Sequence, residues 1–274
     1  MARLVLVPTP IGNLGDLTAR AAEVLKNAET VAAEDTRRSR QLLNHLGLDR
    51  PLVRLDAHTI PARAPALLRE AGTLAFITDA GTPGISDPGA ELVRLALELG
   101  LEIEALPGPT AFVPALILSG LDASRFTFEG FLPRKGRHRR ERLQGIAASP
   151  ATSIMYESPK RLAATLSDLG QSCGGERPAA VSREISKRFE ETVRGSLKEL
   201  TEQFTGTEVR GECVITVAGT DEPQDAAAAA GARLGDLAVL LADAGLEGRQ
   251  LREALLLAGA SRNAAYELSL TRGT

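Results

Sequence analysis

Short apolar runs alternate along the chain with stretches whose apolar positions return every three or four residues. Arg3 to Val7, Thr30 to Ala33, Leu52 to Leu55, Leu74 to Thr78 and Leu101 to Leu106 carry the first pattern, that of short strands buried on both faces. Between them the spacing predicts helices from a cap at Asp16 to Asn27, after Arg40 to a stop at Gly47, over Pro61 to Ala71, from Ala90 to Gly100, and near Ala111 to Leu118. Strand and helix in strict alternation imply a sheet with parallel strands and helices on its faces.

Ser119 to Ser124 reads as a connection, after which a second set begins. Its strands are Phe126 to Phe131, Thr152 to Tyr156, Ala179 to Glu184, Glu190 to Val193 and Glu212 to Val217, and its helices Arg137 to Ala148, Pro159 to Leu169 and Leu197 to Phe204. Two strands meeting across Lys187 and Arg188 form a hairpin, so this sheet is mixed. Thr220 to Gly231 has the composition of a linker, and Leu234 to Ala244, Arg249 to Leu257 and Asn263 to Leu270 are three short helices with Ser261 as a cap. Gln250 to Leu270, with Ala258 to Ala260 at the turn, fits a helix-turn-helix outline, with balanced charge that suits a packing or docking module as well as a groove reader. The expected fold is α/β in two domains, 1–120 with a parallel-type sheet and 121–222 with a mixed sheet, followed by a small helical extension over 232–274.

The stretch on which this arrangement turns is Thr78 to Gly89, where three glycines and two prolines fix an irregular path between a strand and a helix. Open α/β sheets bind ligands at the carboxyl ends of their strands, and ordinary connections there are shorter. Pro8 to Asn13, Pro107 to Thr110 and Tyr156 to Arg161 are further loops of this kind, and together the four would line a cleft between the domains. Neither the dinucleotide fingerprint Gly-x-Gly-x-x-Gly after the first strand nor a Gly-Lys-Ser/Thr phosphate loop is present, which argues against a nicotinamide enzyme or an NTPase.

Composition narrows the field further. Two cysteines make no disulfide framework, three scattered histidines have no ligand spacing, and no run of 18 apolar residues could span a membrane, so a cytoplasmic protein with no metal is expected. The net charge of −3 argues against indiscriminate nucleic-acid binding. Locally, however, Arg134, Lys135, Arg137, Arg139, Arg140 and Arg142 place six cations within nine residues, either as a solvated face or as a segment that a phosphate backbone orders.

Six segments carry a resemblance in order along the chain: Val7 to Leu14, Ala33 to Arg37, Asp79 to Pro83 with Ile85 to Gly89, Leu106 to Ala111, Gly130 to Pro133, and Tyr156 to Pro159. Together they resemble the small-subunit ribosomal RNA (cytidine-2′-O)-methyltransferase branch of the tetrapyrrole methylase superfamily over about residues 3 to 218, with the last helices similar to that branch's extension. The resemblance implies a homodimer of two-domain subunits, each holding S-adenosylmethionine in its cleft. It places the cofactor on Pro10, Ile11, Asp79, Gly81, Thr82, Ile85, Thr110, Ala111, Met155 and Cys213, the last within a contact near Glu212 to Val214. The acceptor it implies is a cytidine ribose in 16S RNA, free or in the small ribosomal subunit.

Methyl transfer to a hydroxyl needs positioning and a route for the proton. Glu34, Asp35, Asp79, Asp87, Glu157 and Glu184 are the carboxylates on these segments, and Glu157 and Glu184 are the candidates for proton handling. Arg37, Arg38, Arg134, Lys135, Arg137, Arg139, Arg140, Lys160, Arg161 and Arg183 are candidate phosphate contacts, and Tyr156 is a candidate stacking surface for a base. His58 reads as an ordinary surface or capping histidine. Two alternatives remain open: a methylase of a tetrapyrrole or corrin, and a non-catalytic RNA-binding assembly factor.

Overall fold

The computed structural model describes residues 2–220, 234–260 and 262–270. They divide into two compact groups, one running through Ala147 and continuing over Ala151–Gly219, the other made of Ala148–Pro150 and the described residues from Thr220 on.

The first group contains two five-stranded sheets. In the first, β1 (Arg3–Leu6), β2 (Thr30–Ala33), β3 (Leu52–Arg54), β4 (Thr73–Ile77) and β5 (Glu102–Ala105) are all parallel in the order β3-β2-β4-β1-β5. Alternation along β1 sends Leu4 and Leu6 to one face, against α3 (Ile60–Glu70) and α4 (Gly89–Glu98). It sends Val5 and Val7 to the other, against α1 (Ala19–Asn27) and α2 (Thr36–His45). A strand covered on both sides has no place for a polar side chain, which is why these runs read as unbroken apolar sequence. Thr18 caps α1, its side chain accepting from the Ala21 amide, while Asp16 ends a short 3-10 turn, so the expected cap lies two residues too early.

The second sheet runs β6-β7-β10-β8-β9 over Phe126–Phe131, Thr152–Glu157, Cys213–Val217, Pro178–Arg183 and Glu191–Ser196. β6 and β7 are parallel and the rest antiparallel, with β8 and β9 joined as the expected hairpin. One face is covered by α6 (Arg137–Ala148), α7 (Leu162–Cys173) and α8 (Leu197–Phe204). The other is covered by α5 (Phe112–Ser119), whose Ala115 and Leu116 pack with Ile154, Ile185 and Val214. This helix follows β5 in sequence but covers the second sheet, so the chain passes between the layers one helix before the expected connection at 119–124.

In the other group a helix over residues 234–243, here α9, joins α10 (Gly248–Leu257) and α11 (Arg262–Leu270) around Ala238, Leu251, Leu255 and Ala265. The linker expected over 220–231 lies outside the described residues from 221 on, as does the cap at Ser261. Among the described residues no helix is long and apolar enough to cross a membrane.

The basic run divides on folding. Arg139 is 8% exposed, and its guanidinium donates to Asp168 at 2.7 and 2.9 Å, to Thr165 at 3.1 Å and to the Pro133 carbonyl at 2.9 Å. It is therefore part of the scaffold that joins α6 to α7, and its assignment as a phosphate contact is corrected. Truncation leaves these acceptors without their donor, and charged hydrogen bonds contribute about 1.5 to 3 kcal/mol each. Arg139→Ala is expected to lower stability by about 2 kcal/mol in a urea melt, whereas Arg140→Ala leaves the midpoint in place.

Candidate active site

The loops at the strand ends are sewn to one another by the backbone. Thr9 and Gly81 form an antiparallel bridge, each amide donating to the other's carbonyl at 3.0 Å. The Thr9 hydroxyl donates to the Thr78 carbonyl at 3.2 Å, and that of Thr82 to the Pro109 carbonyl at 2.9 Å. Gly81 sits at φ +86°, where a side chain would be strained, with the Ile11 methyl and the Pro109 carbonyl 3.5 and 3.6 Å from where a Cβ would stand. The Asp87 carboxylate accepts from the amides of Gly84 and Gly89 at 2.8 and 2.7 Å, holding the second half of the central loop in its turn.

Between these loops and the ends of β7 and β10 lies a pocket of about 480 Å³. Ile11, Asp79, Gly81, Thr82, Ile85, Thr110, Ala111, Cys213, Tyr156 and Glu157, all singled out from the sequence, line it. Pro10, Met155 and Glu184 do not. The alternation of β7 turns Met155, fully buried, into the core against α7, while its neighbours Ile154 and Tyr156 face α5. The expected contact over Glu212 to Val214 lines it as well, whereas sequence reasoning missed Phe131 and Ile185 in the wall. The adjacency of these strand ends across the second sheet was the signal for them, and it needed the strand order.

One wall atom stands out chemically. The Thr110 hydroxyl oxygen is buried with no hydrogen-bond partner of proper geometry among the described residues. The phenol of Tyr156 lies close to it and to the Ala111 and Phe112 amides. Burial outweighs them and pushes the phenol above its ordinary value. Cys213 is likewise pushed up, to about 11, by burial, so its thiol is not a nucleophile at neutral pH.

The carboxylates separate by their partners. Glu157, 2% exposed, accepts from the Ser158 amide at 2.8 Å and the Thr165 hydroxyl at 2.7 Å, with the Arg161 guanidinium at 3.2 Å. Both its oxygens are committed to bracing the loop after β7. Glu184 accepts from Lys187 at 2.8 Å and the Glu212 amide at 3.1 Å, and the Lys187 hydrogen bond holds its carboxyl below the ordinary value. It latches the hairpin and stands outside the pocket, so neither candidate has a free oxygen facing a ligand. Glu34, at the end of β2, lines the pocket with no hydrogen bond or ion pair among the described residues. Burial, with Asp79, Asp87 and Asp56 nearby, raises its pKa against the lowering effect of Arg38. Asp35 beside it caps α2 and is held down to about 2 by the hydrogen bonds of Arg37.

Of the remaining cations, Arg38 pairs with Asp79 at 3.5 Å on the pocket wall. Arg37, Arg137, Arg142 and Arg183 are paired with Asp35, Glu141, Glu129 and Glu191. Arg161 also donates to the Leu132 carbonyl at 3.0 Å. Arg134, Lys135, Arg140 and Lys160 are exposed and carry no ion pair among the described residues.

The family model of the Tetrapyrrole (Corrin/Porphyrin) Methylases matches residues 3–201. The chain belongs to this family. Among similar tetrapyrrole methylases, a "Ribosomal RNA small subunit methyltransferase I" of Xylella fastidiosa is 48% identical over 229 residues, 82% of this chain and 84% of the relative. One of the same name from Synechocystis is 43% identical over 277 residues, covering 98% of each chain. Among solved structures, the uroporphyrin-III-C-methyltransferase of Thermus thermophilus superposes with a TM-score of 0.58 at 22% identity, covering 80% of this chain and 94% of that one. The same enzyme complexed with S-adenyl homocysteine gives 0.56 at 24%, covering 79% and 97%. At such identity these superpositions speak for the fold, two sheets with loops facing a common pocket.

An acid whose pKa is raised by folding favours the folded state when protonated. The penalty on its ionised form is absent below the ordinary carboxylate value of about 4.3 and grows as pH rises through the folded value. Glu34→Gln is therefore expected to raise the melting temperature over the parent at neutral pH and to leave it unchanged in acid; equal melting at neutral pH would contradict this account of the pocket's charge.

Proposed function

We propose that this chain transfers a methyl group from S-adenosylmethionine to the 2′-hydroxyl of a cytidine in small-subunit ribosomal RNA, acting in the cytoplasm as a homodimer. The observation that carries the reading is the pocket itself: an apolar floor of Ile11, Ile85 and Val214 beside backbone from four loops, with one buried hydroxyl left unpaired. Those residues fit the donor. Thr110 offers a hydrogen-bonding group to a polar edge, bare Gly81 backbone permits close approach, and Ile11 and Ile85 cover apolar surface. Bound there, S-adenosylmethionine supplies a methyl group on a cationic sulfonium.

The chain's own contribution is position and proton transfer. Glu34 takes up the proton that the ribose hydroxyl loses, since it is the carboxylate in the wall whose oxygens are uncommitted and whose basicity is raised. Arg134, Lys135, Arg140 and Lys160, exposed and without an ion pair among the described residues, hold the phosphate backbone. The names of the relatives support RNA over a macrocycle. Val113 and Ile117 on α5, with Phe126 on β6 whose ring meets Phe112 of the same helix, leave apolar surface exposed, which supports a second copy of the chain as its cover.

Three outcomes test this reading. Offered small ribosomal subunits, naked 16S RNA and a porphyrinogen with labelled donor, the protein should label RNA at a 2′-O-methylcytidine; label in the porphyrinogen, or none, would overturn it. In the same assay Glu34→Gln should lower the single-turnover rate on the order of 100-fold, and an unchanged rate would remove Glu34 from proton transfer. Replacing Arg134, Lys135 and Arg140 by glutamine should flatten the plot of log affinity against log salt by roughly 2 in slope, with donor affinity unaffected; equal slopes would clear these cations of phosphate contact.

A further inference from the structure

Five of the chain's nine phenylalanine and tyrosine rings form one continuous ladder. Phe126 lies 6.3 Å from Phe112, Phe112 stacks on Phe128 at 4.7 Å, Phe128 meets Tyr156 edge-on at 5.0 Å, and Tyr156 lies 5.6 Å from Phe131. The last ring is the unusual one. Phe131 is 56% exposed and lines the mouth of the pocket.

Its direction is set by a backbone irregularity. Phe128 stands opposite Ile154 and Phe131 opposite Tyr156, so β6 advances three residues while β7 advances two. Gly130 takes up the extra residue at φ +60°. In an unbroken strand, side chains three apart point to opposite faces; with the bulge, the rings of Phe128 and Phe131 both meet Tyr156. The bulge also lies against the central loop, since a Cβ on Gly130 would stand 3.3 Å from the Ser86 hydroxyl. The fold thus departs from regular pairing to hold an aromatic face in solvent at the pocket rim, three and four residues before the unpaired cations Arg134 and Lys135.

We propose that the exposed face of Phe131 is the stacking platform for a nucleobase of the acceptor strand, taking the role that sequence reasoning gave to Tyr156. This rests on the RNA reading above. Tyr156 is half-buried between Phe128 and Phe131 and serves as the backing of that platform. Single-stranded RNA is recognised by stacking unpaired bases on aromatic faces while cations follow the phosphates, and ring and cations here occupy one short segment. A base on Phe131 stands at the rim of the cavity where the methyl group is delivered. Phe131 is a positioning residue, since it would hold the acceptor without touching the reacting atoms.

The test uses the full-length protein and three variants, Phe131→Leu, Phe131→Trp and Phe131→Tyr. Leucine keeps apolar bulk and removes the flat face. It should lower kcat/KM for RNA roughly ten- to hundredfold, chiefly through KM, while tryptophan and tyrosine stay within about threefold of the parent. An oligoribonucleotide of the acceptor sequence carrying 2-aminopurine beside the target should lose fluorescence on binding the parent and keep it on binding Phe131→Leu. Parent-like kcat/KM and quenching in Phe131→Leu would overturn the proposal. So would weakened S-adenosylhomocysteine binding, which would assign the ring to the donor, or a shift from dimer to monomer, which would assign it to a subunit contact. Absence of RNA methylation by the parent would instead strike the functional reading, while the quenching measurement reports on Phe131 independently.

Discussion

The constraint on which the pocket depends is the pair of backbone hydrogen bonds between Thr9 and Gly81. Loops at adjacent parallel strand ends have unpaired amides and carbonyls and would otherwise move independently. Here the first loop and the central loop satisfy one another, and Thr82 ties both to the carbonyl of Pro109 after β5. The exchange requires Gly81 in a left-handed conformation, so the glycine that permits the bridge also leaves bare backbone facing the cavity. From this follow the placement of Ile11 and Thr110 in one wall and the packing of α5 beyond them against the second sheet.

The same economy explains why much of the architecture was legible in the sequence. Buried parallel strands must be apolar throughout, so β1, β2 and β4 announce themselves, and their C-terminal loops stand out by glycine and proline. Which side chains face the cavity was less legible, because that depends on strand alternation and pairing. Met155 and Tyr156 are neighbours in sequence and point to opposite faces of β7. Glu157 and Glu184 were attractive because carboxylates near a reaction centre suggest acid-base chemistry. Both oxygens of Glu157 prove to be engaged by Ser158 and Thr165 and one of Glu184 by Lys187, contacts made across 1 to 8 positions of chain. A charge run discloses its composition but not its partners, and so Arg139 resembled its neighbours until α7 supplied Asp168.

The site also has the energetic character of a functional centre. Glu34 lies among like charges, Thr110 has a buried hydroxyl with no well-formed hydrogen bond among the described residues, Ser86 occupies left-handed backbone, and Phe131 exposes a ring that could have been buried. Each is unfavourable to the folded chain alone, and all gather around one cavity. Strain and unpaired groups concentrated in this way are what a bound donor and an acceptor strand would relieve.

The most direct test of the central claim is a crystal structure of the protein with S-adenosylhomocysteine. The account predicts the ligand inside the pocket, with the Thr110 hydroxyl hydrogen-bonded to it and its atoms against the Gly81 backbone and Ile85. Ligand bound elsewhere, or in the pocket with Thr110 still unpaired and the Gly81 segment untouched, would contradict it.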